Sequence, residues 1–165
     1  MIVLGVDPST VATGWGILEG DSRHARALSY GVLRPSPRAP LRERLRVIHE
    51  GLTRVLEETR PEIVAIESAF LHRNVKTALA LGQVRGVVLL AAAQLRIEHE
   101  EYSALEIKRA AVGYGTAKKD QVGRMIKSLF GLQEVPREDE ADALATAWCH
   151  LTRAARPIDL RGMRS

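Results

Sequence analysis

Two short apolar segments, each ending on a carboxylate, constrain the fold of this chain more than any other feature. Met1–Val6 is rich in Ile, Val and Leu and stops at Asp7-Pro8, and Ile63–Ile66 stops at Glu67. Neither alternates polar with apolar residues, so each reads as a strand covered on both faces. Such strands need helices above and below them, and the rest of the chain supplies these. Thr13–Leu18 and Ala27–Leu33 read as two more strands bounded by turn residues. Pro35, Pro37 and Pro40 then form a loop that neither helix nor sheet tolerates. Leu41, Leu45, Ile48, Leu52 and Val55 recur at helical spacing, which predicts an amphipathic helix over Leu41–Thr59. Val75–Leu95 is a second long helix, with Ala78, Gly82 and Gly86 making a smooth ridge suited to helix–sheet or subunit packing. Ile97–Tyr102 is a weak, polar strand candidate. Ser103 and Glu106 are spaced as a capping box that starts a short helix. Gly113-Tyr114-Gly115 breaks the chain, and Ala117–Phe130 and a last helix carrying Ala141–Leu151 follow. Strands and helices in this order predict an α/β fold, a five-stranded mixed sheet flanked by helices.

At 165 residues the chain holds one domain. The expected boundary is a body over residues 1–153 and a basic, flexible tail over 154–165. Charge is unevenly sorted although the net is only +4. Lys108–Lys127 carries six basic residues against Asp120, and Glu134–Asp142 carries five acidic residues against Arg137. That pattern places a basic binding surface beside an acidic pocket. Cys149 stands alone, which excludes an intramolecular disulfide framework and a cysteine-based zinc site. The N-terminus lacks the basic flank of a signal peptide, and the longest apolar run, Val87–Ala93, is far short of the ~20 residues that span a bilayer. A soluble, cytoplasmic protein without a membrane partner is expected.

Asp7 and Glu67 follow buried strands directly, so both reach the rim of the sheet, where α/β proteins place their sites. Asp139 and Asp142, three apart, share one face of the last helix. Acids in a first helical turn are ordinary, but Asp142 opens the apolar run Asp142–Trp148, where an unpaired carboxylate is costly. Were the four acids to converge, they would form an all-oxygen cage that selects Mg²⁺ or Mn²⁺. Two such ions, about 4 Å apart, activate a water and stabilise the leaving oxygen of a phosphodiester. Lys108, Lys118 and Lys119 flank the glycine break and are placed to reach a phosphate backbone; Arg124 and Lys127 read as solvated. Phe70, in a loop-like stretch, invites a base-stacking or wedge role. Trp15 and Trp148 lie in apolar patterns and are expected in the core. His24, His49, His99 and His150 show no pattern of their own.

Five motifs, taken in order, carry a resemblance. Gly5-Val6-Asp7-Pro8-Ser9 with Thr13-Gly14-Trp15-Gly16, Ala65-Ile66-Glu67-Ser68-Ala69-Phe70, and Leu79–Gly86 are similar to segments of the RuvC family of Holliday junction resolvases. Ile107-Lys108 through Val112–Lys119, and Asp139–Ala145, continue the similarity to about His150. The resemblance implies a ribonuclease H-like fold, a homodimer with two active sites, and Mg²⁺-dependent nicking of two like-polarity strands at a four-way DNA junction. Two Mg²⁺ ions per site are implied, with Mn²⁺ able to substitute, and products with 5′-phosphate and 3′-hydroxyl ends. The family's metal-binding acids fall on Asp7, Glu67, Asp139 and Asp142, its DNA-contacting lysines on Lys108 and Lys119, and its junction-centre aromatic on Phe70. A junction-binding protein and an ATP-driven branch-migration motor are the implied partners, in recombination and repair. Ser9 departs from the family's usual Gly; a positive φ there would strain it. A ribonuclease H-like nuclease acting on RNA is one rival reading, which substrate choice decides. A non-catalytic binder or a nucleotide-binding relative of the actin and sugar-kinase superfamily is the other, against which stand the length of 165 residues and the lack of a Walker-type Gly-rich loop.

Overall fold

Period-2 alternation assigns the residues of the central strands to two different cores. In this computed structural model, which describes residues 1–68 and 75–154, the order is β1 (Ile2–Asp7), β2 (Thr13–Gly20), β3 (Ala25–Leu33), α1 (Leu41–Thr59), β4 (Ile63–Glu67), α2 (Val75–Gln94), β5 (Glu98–Tyr102), α3 (Ala104–Val112), α4 (Lys119–Phe130) and α5 (Glu138–Ala154). The sheet runs β3-β2-β1-β4-β5, antiparallel among the first three strands and parallel from β1 to β4 to β5. Leu4, Val6, Ile17, Val64 and Ile66 face α1 and α2. Val3, Leu18 and Ala65 face α3, α4 and α5. The two apolar strands are therefore buried on both faces, as their lack of alternation requires. The expected α/β architecture with five strands is what the chain adopts.

Glycines on one face decide how close a helix comes. Gly5 and Gly16 are register partners, as are Asp7 and Gly14, and all lie on the α5 side. A Cβ built on Gly5 would stand 2.0 Å from the Ala143 carbonyl oxygen, and one on Gly14 would stand 1.9 Å from that of Asp139. At Gly5 and Gly14 the backbone of α5 thus rests on the backbone of β1 and β2 with no side chain between them. Along this helix Ala141, Ala143, Leu144, Ala145 and Ala147 are buried.

The capping box forms as spaced: the Ser103 hydroxyl accepts from the Glu106 N–H at 3.3 Å, and the Glu106 carboxylate accepts from the Ser103 N–H at 2.8 Å. Trp15 and Trp148 pack against the two cores but are only partly buried, and the Trp148 indole donates to the Ala110 carbonyl at 3.1 Å. His150 has a structural place that its lack of pattern concealed. It is buried, with Nδ1 2.8 Å from the Tyr102 hydroxyl, and so ties α5 to β5. Ser9 shows no strain, because among the described residues only Arg60 and Arg96 are non-glycines with positive φ. Its hydroxyl accepts from the Val11 N–H at 3.2 Å and its carbonyl from the Thr13 hydroxyl at 2.6 Å, closing the β1–β2 turn beside Asp7.

The helix α2 is apolar over more of its length than its longest unbroken run. By length and composition its 20 residues suffice to cross a bilayer, with a mean hydropathy of 1.4. The unbroken run Val87–Ala93 is shorter because Lys76, Thr77, Gln83, Arg85 and the glycines interrupt the apolar residues of the helix. Val84, Val88, Ala91 and Ala92 bury one stripe against the core. Opposite them Val75, Leu79 and Leu90 are 72%, 66% and 52% exposed, and a Cβ on Gly82 or Gly86 would meet nothing. The ridge is not used for helix–sheet packing.

Candidate active site

The parallel pairing of β1 with β4 ends at Val6↔Ile66. Asp7 and Glu67 come next, on neighbouring strands about 4.8 Å apart, and the period of two turns both toward the α5 side. Asp142 stands in the second turn of α5, at the start of its buried stretch and held there by the glycine seat, and its side chain is only 18% exposed. The four sequence-predicted acids thus belong to one end of the sheet. The grouping has an electrostatic consequence for Asp7, Glu67 and Asp142. Burial, then the charges of Glu67, Asp142 and Asp139, push the Asp7 carboxyl up to about 8. Glu67 is raised by burial and by Asp142, and Asp142 is raised by burial and by its acidic neighbours on α5. In these three carboxyls burial and the neighbouring negative charge both disfavour the ionised form.

Two cations already answer part of that charge. Lys119 Nζ donates to the Glu138 carboxylate and lies 3.6 Å from Asp142 Oδ2. Arg34, the residue after β3, donates to Asp139 Oδ2 at 3.0 Å. Lys119, named from sequence as a DNA contact, here sits among the acids, and its positive charge lowers the pKa of Asp7, Glu67 and Asp142 alike. Lys108, partly buried on α3, acts on Glu67 in the same sense. Lys118 is exposed at the start of α4, where its backbone N–H donates to Gln121 Oε1 at 2.8 Å. Arg124 pairs with Asp120 at 2.7 Å on the outer face of α4. Phe70 and the arginines beyond Ala154 lie outside the described residues. Sequence reading missed Arg34. The available signal was its place, a charged residue directly after a strand, as with Asp7 and Glu67.

The donor set is chemically right for a hard divalent cation: carboxylates alone, partly desolvated, with excess negative charge. Among the described residues no three of these groups are yet drawn together as a finished cation site. The acids cluster, and Arg34 and Lys119 engage two of them.

A mixed sheet in this strand order, with carboxylates ending β1 and β4 and a third on a helix laid over them, defines a ribonuclease H-like nuclease. Solved structures bear this out. The chain matches T. thermophilus RuvC in complex with a Holliday junction substrate with a TM-score of 0.88 and 36% identity, over 93% of this chain and 94% of that one. A yeast mitochondrial Holliday junction resolvase shares the fold with a TM-score of 0.61 at 10% identity. The family described as crossover junction endodeoxyribonuclease RuvC matches residues 3–150, and the chain belongs to it. The RuvC of Moorella thermoacetica is 47% identical over 93% of each chain. That of Geobacter sulfurreducens is 42% identical over 99% of this chain and all of its own.

Proposed function

We propose that this protein resolves four-way DNA junctions by paired, symmetric, metal-dependent nicks, as a homodimer acting in the cytoplasm in recombination and repair. The observation that carries this reading is the placing of Asp7 and Glu67 at the ends of adjacent parallel strands, beneath the helix that carries Asp139 and Asp142, in a chain of the RuvC family. Asp7, Glu67, Asp139 and Asp142 would hold Mg²⁺, two ions per site with Mn²⁺ able to substitute; once bound, they supply Lewis acidity that activates a water and stabilises the leaving oxygen. The protein's own task is to hold the carboxylates on rigid strand ends and a seated helix, so that little reorganises on binding. Asp7 is central because three other acids act on it. Lys108 and Lys119 are assigned to the DNA backbone near the cut, Lys118 to its flank, and Phe70 to the opened junction centre. The body over residues 1–153 carries the chemistry, and the basic tail over 154–165 adds nonspecific DNA contact. A junction-binding protein and a branch-migration motor are the partners.

Cleavage of a synthetic four-way junction, beside a linear duplex and an RNA–DNA hybrid of the same sequence, tests the reading. Paired nicks on the junction alone, present with Mg²⁺ or Mn²⁺ and absent with EDTA, are expected. Cutting of the hybrid in preference would replace the reading with a ribonuclease.

The exposed apolar stripe of α2 supports the dimer. Val75, Leu79, Gly82, Gly86 and Leu90 fall three or four residues apart, and the glycines let a second helix approach closely. Gly86→Glu meets open space in the protomer, so its fold should stand. Light scattering should show monomers at micromolar concentration where the parent is dimeric, and the paired nicks should become single. A Gly86→Glu protein that remains dimeric would remove α2 from the interface.

A further inference from the structure

We propose that Arg34 is a DNA-phosphate ligand held in reserve: it is parked on Asp139 in the metal-free protein and released to the backbone when a divalent cation takes that carboxylate. The inference rests on the metal-dependent nuclease reading above and names a residue that reading did not include. Its basis is geometric. Leu33 pairs with Thr13 and Gly14 with Asp7, so Arg34 emerges at the same sheet end as the acids. Pro35 follows, holding Arg34 in extended backbone and preventing β3 from continuing. Its guanidinium donates to Asp139 Oδ2 at 3.0 Å, with the arginine side chain 51% and the aspartate 28% exposed.

An ion pair so open to water adds little to stability, so it is easily exchanged. Its partner is one of four carboxylates crowded at one site. A divalent cation there competes directly with the guanidinium for Asp139. Displaced, Arg34 stays tethered at the rim, beside the path of any phosphodiester that reaches Asp7. A guanidinium fork matches phosphate oxygens as well as it matches a carboxylate. Lys119, held by Glu138 and Asp142, is a second cation engaged by the acids in the same way. The competing view is a static tie between the loop after β3 and the first turn of α5.

Arg34→Gln and Arg34→Lys separate the two. Mn²⁺ binding to the DNA-free protein is read by electron paramagnetic resonance, and junction binding by fluorescence anisotropy across a salt series, in EDTA and in Ca²⁺. Removing a competing cation should tighten Mn²⁺ binding of Arg34→Gln several-fold. In EDTA its junction affinity should stay within about twofold of the parent, because the parked guanidinium contributes nothing there. In Ca²⁺ it should fall about 5- to 10-fold, with the salt slope reduced by about one, the signature of a single lost phosphate contact. Arg34→Lys should recover most of that loss. Unchanged or weaker Mn²⁺ binding, or equal losses in EDTA and Ca²⁺, would overturn the proposal in favour of the static tie. Failure of the parent protein itself to cut or bind junctions would instead overturn the nuclease reading.

Discussion

Asp7→Asn is expected to lower junction cleavage by about 10³-fold or more while leaving junction binding close to that of the parent. It should also make the metal-free protein more stable, and that second effect distinguishes a metal ligand from a structural acid. In the fold, burial and three neighbouring acids hold the Asp7 carboxyl near about 8, against an ordinary value of 3.8. Between those two values the folded protein keeps a proton that the unfolded chain has released. The stability associated with Asp7 is therefore whole below about pH 3.8 and is lost as pH rises through about 8. A divalent cation reverses the loss by supplying the missing positive charge. Thermal melts should show the metal-free parent losing stability as pH rises from about 4 to about 8, with no further loss above that, and Mg²⁺ restoring it most at the alkaline end. Asn carries no charge, so Asp7→Asn should melt several degrees higher without metal and respond weakly to Mg²⁺; each kcal/mol is worth about 2–4 °C in a chain of this size. Metal affinity of the parent should rise with pH through the same window, since the proton must leave first. A variant that cuts normally, or that melts lower than the parent without metal, would remove Asp7 from the centre of the site.

The parts of this molecule that were legible in the sequence are those where local pattern and tertiary burial agree. Continuous apolar runs gave β1 and β4 with their terminal acids, helical spacing gave α1 over its full observed length, and the Ser103/Glu106 box started α3. What pattern could not show depends on which surfaces meet. The polarity of β5 made it a weak strand candidate, yet Glu98, His99 and Glu100 suit an edge strand because their charges discourage further pairing. His150 lacks any periodic signal because its meaning comes from Tyr102, 48 residues away in sequence. The pairing of Arg34 with Asp139 spans 105 residues for the same reason. The α2 ridge could be read as small, but only its exposure separates a partner-facing surface from one packed on the sheet. Gly5 and Gly14 were visible as members of a family motif. Their physical role, contact with a helix that arrives more than 120 residues later, follows only from the assembled fold.

That contact makes Gly14→Ala the second large effect, acting on catalysis more than on folding. The added Cβ would lie 1.9 Å from the Asp139 carbonyl oxygen and 2.6 Å from its carbonyl carbon, so backbone must move. Farther along, α5 is fixed against Gly5 at Ala143 and Ala147, which leaves tilting of its first turns as the cheapest relief. Those turns carry Asp139 and Asp142 away from Asp7, while the buried half of the helix keeps its core contacts. Overpacking of this kind costs about 1–3 kcal/mol, so a lower melting temperature by a few degrees is expected. A displacement near 1 Å at reacting groups costs about 10²-fold in rate, so cleavage should fall by that much or more and need a higher Mg²⁺ concentration. Gly5→Ala presses on the middle of the helix, where no tilt relieves it, and should fail mainly by unfolding. Gly86→Ala, where a Cβ meets open space in the protomer, is the control for adding a methyl group without a collision; it should melt no lower than the parent when both are held monomeric by Gly82→Glu. Rates and melts measured together decide the matter. If Gly14→Ala lost activity only in proportion to unfolded protein, the glycine seat would serve folding alone. Activity lost while the protein stays folded would show that two glycines on the sheet set the position of carboxylates on the helix above.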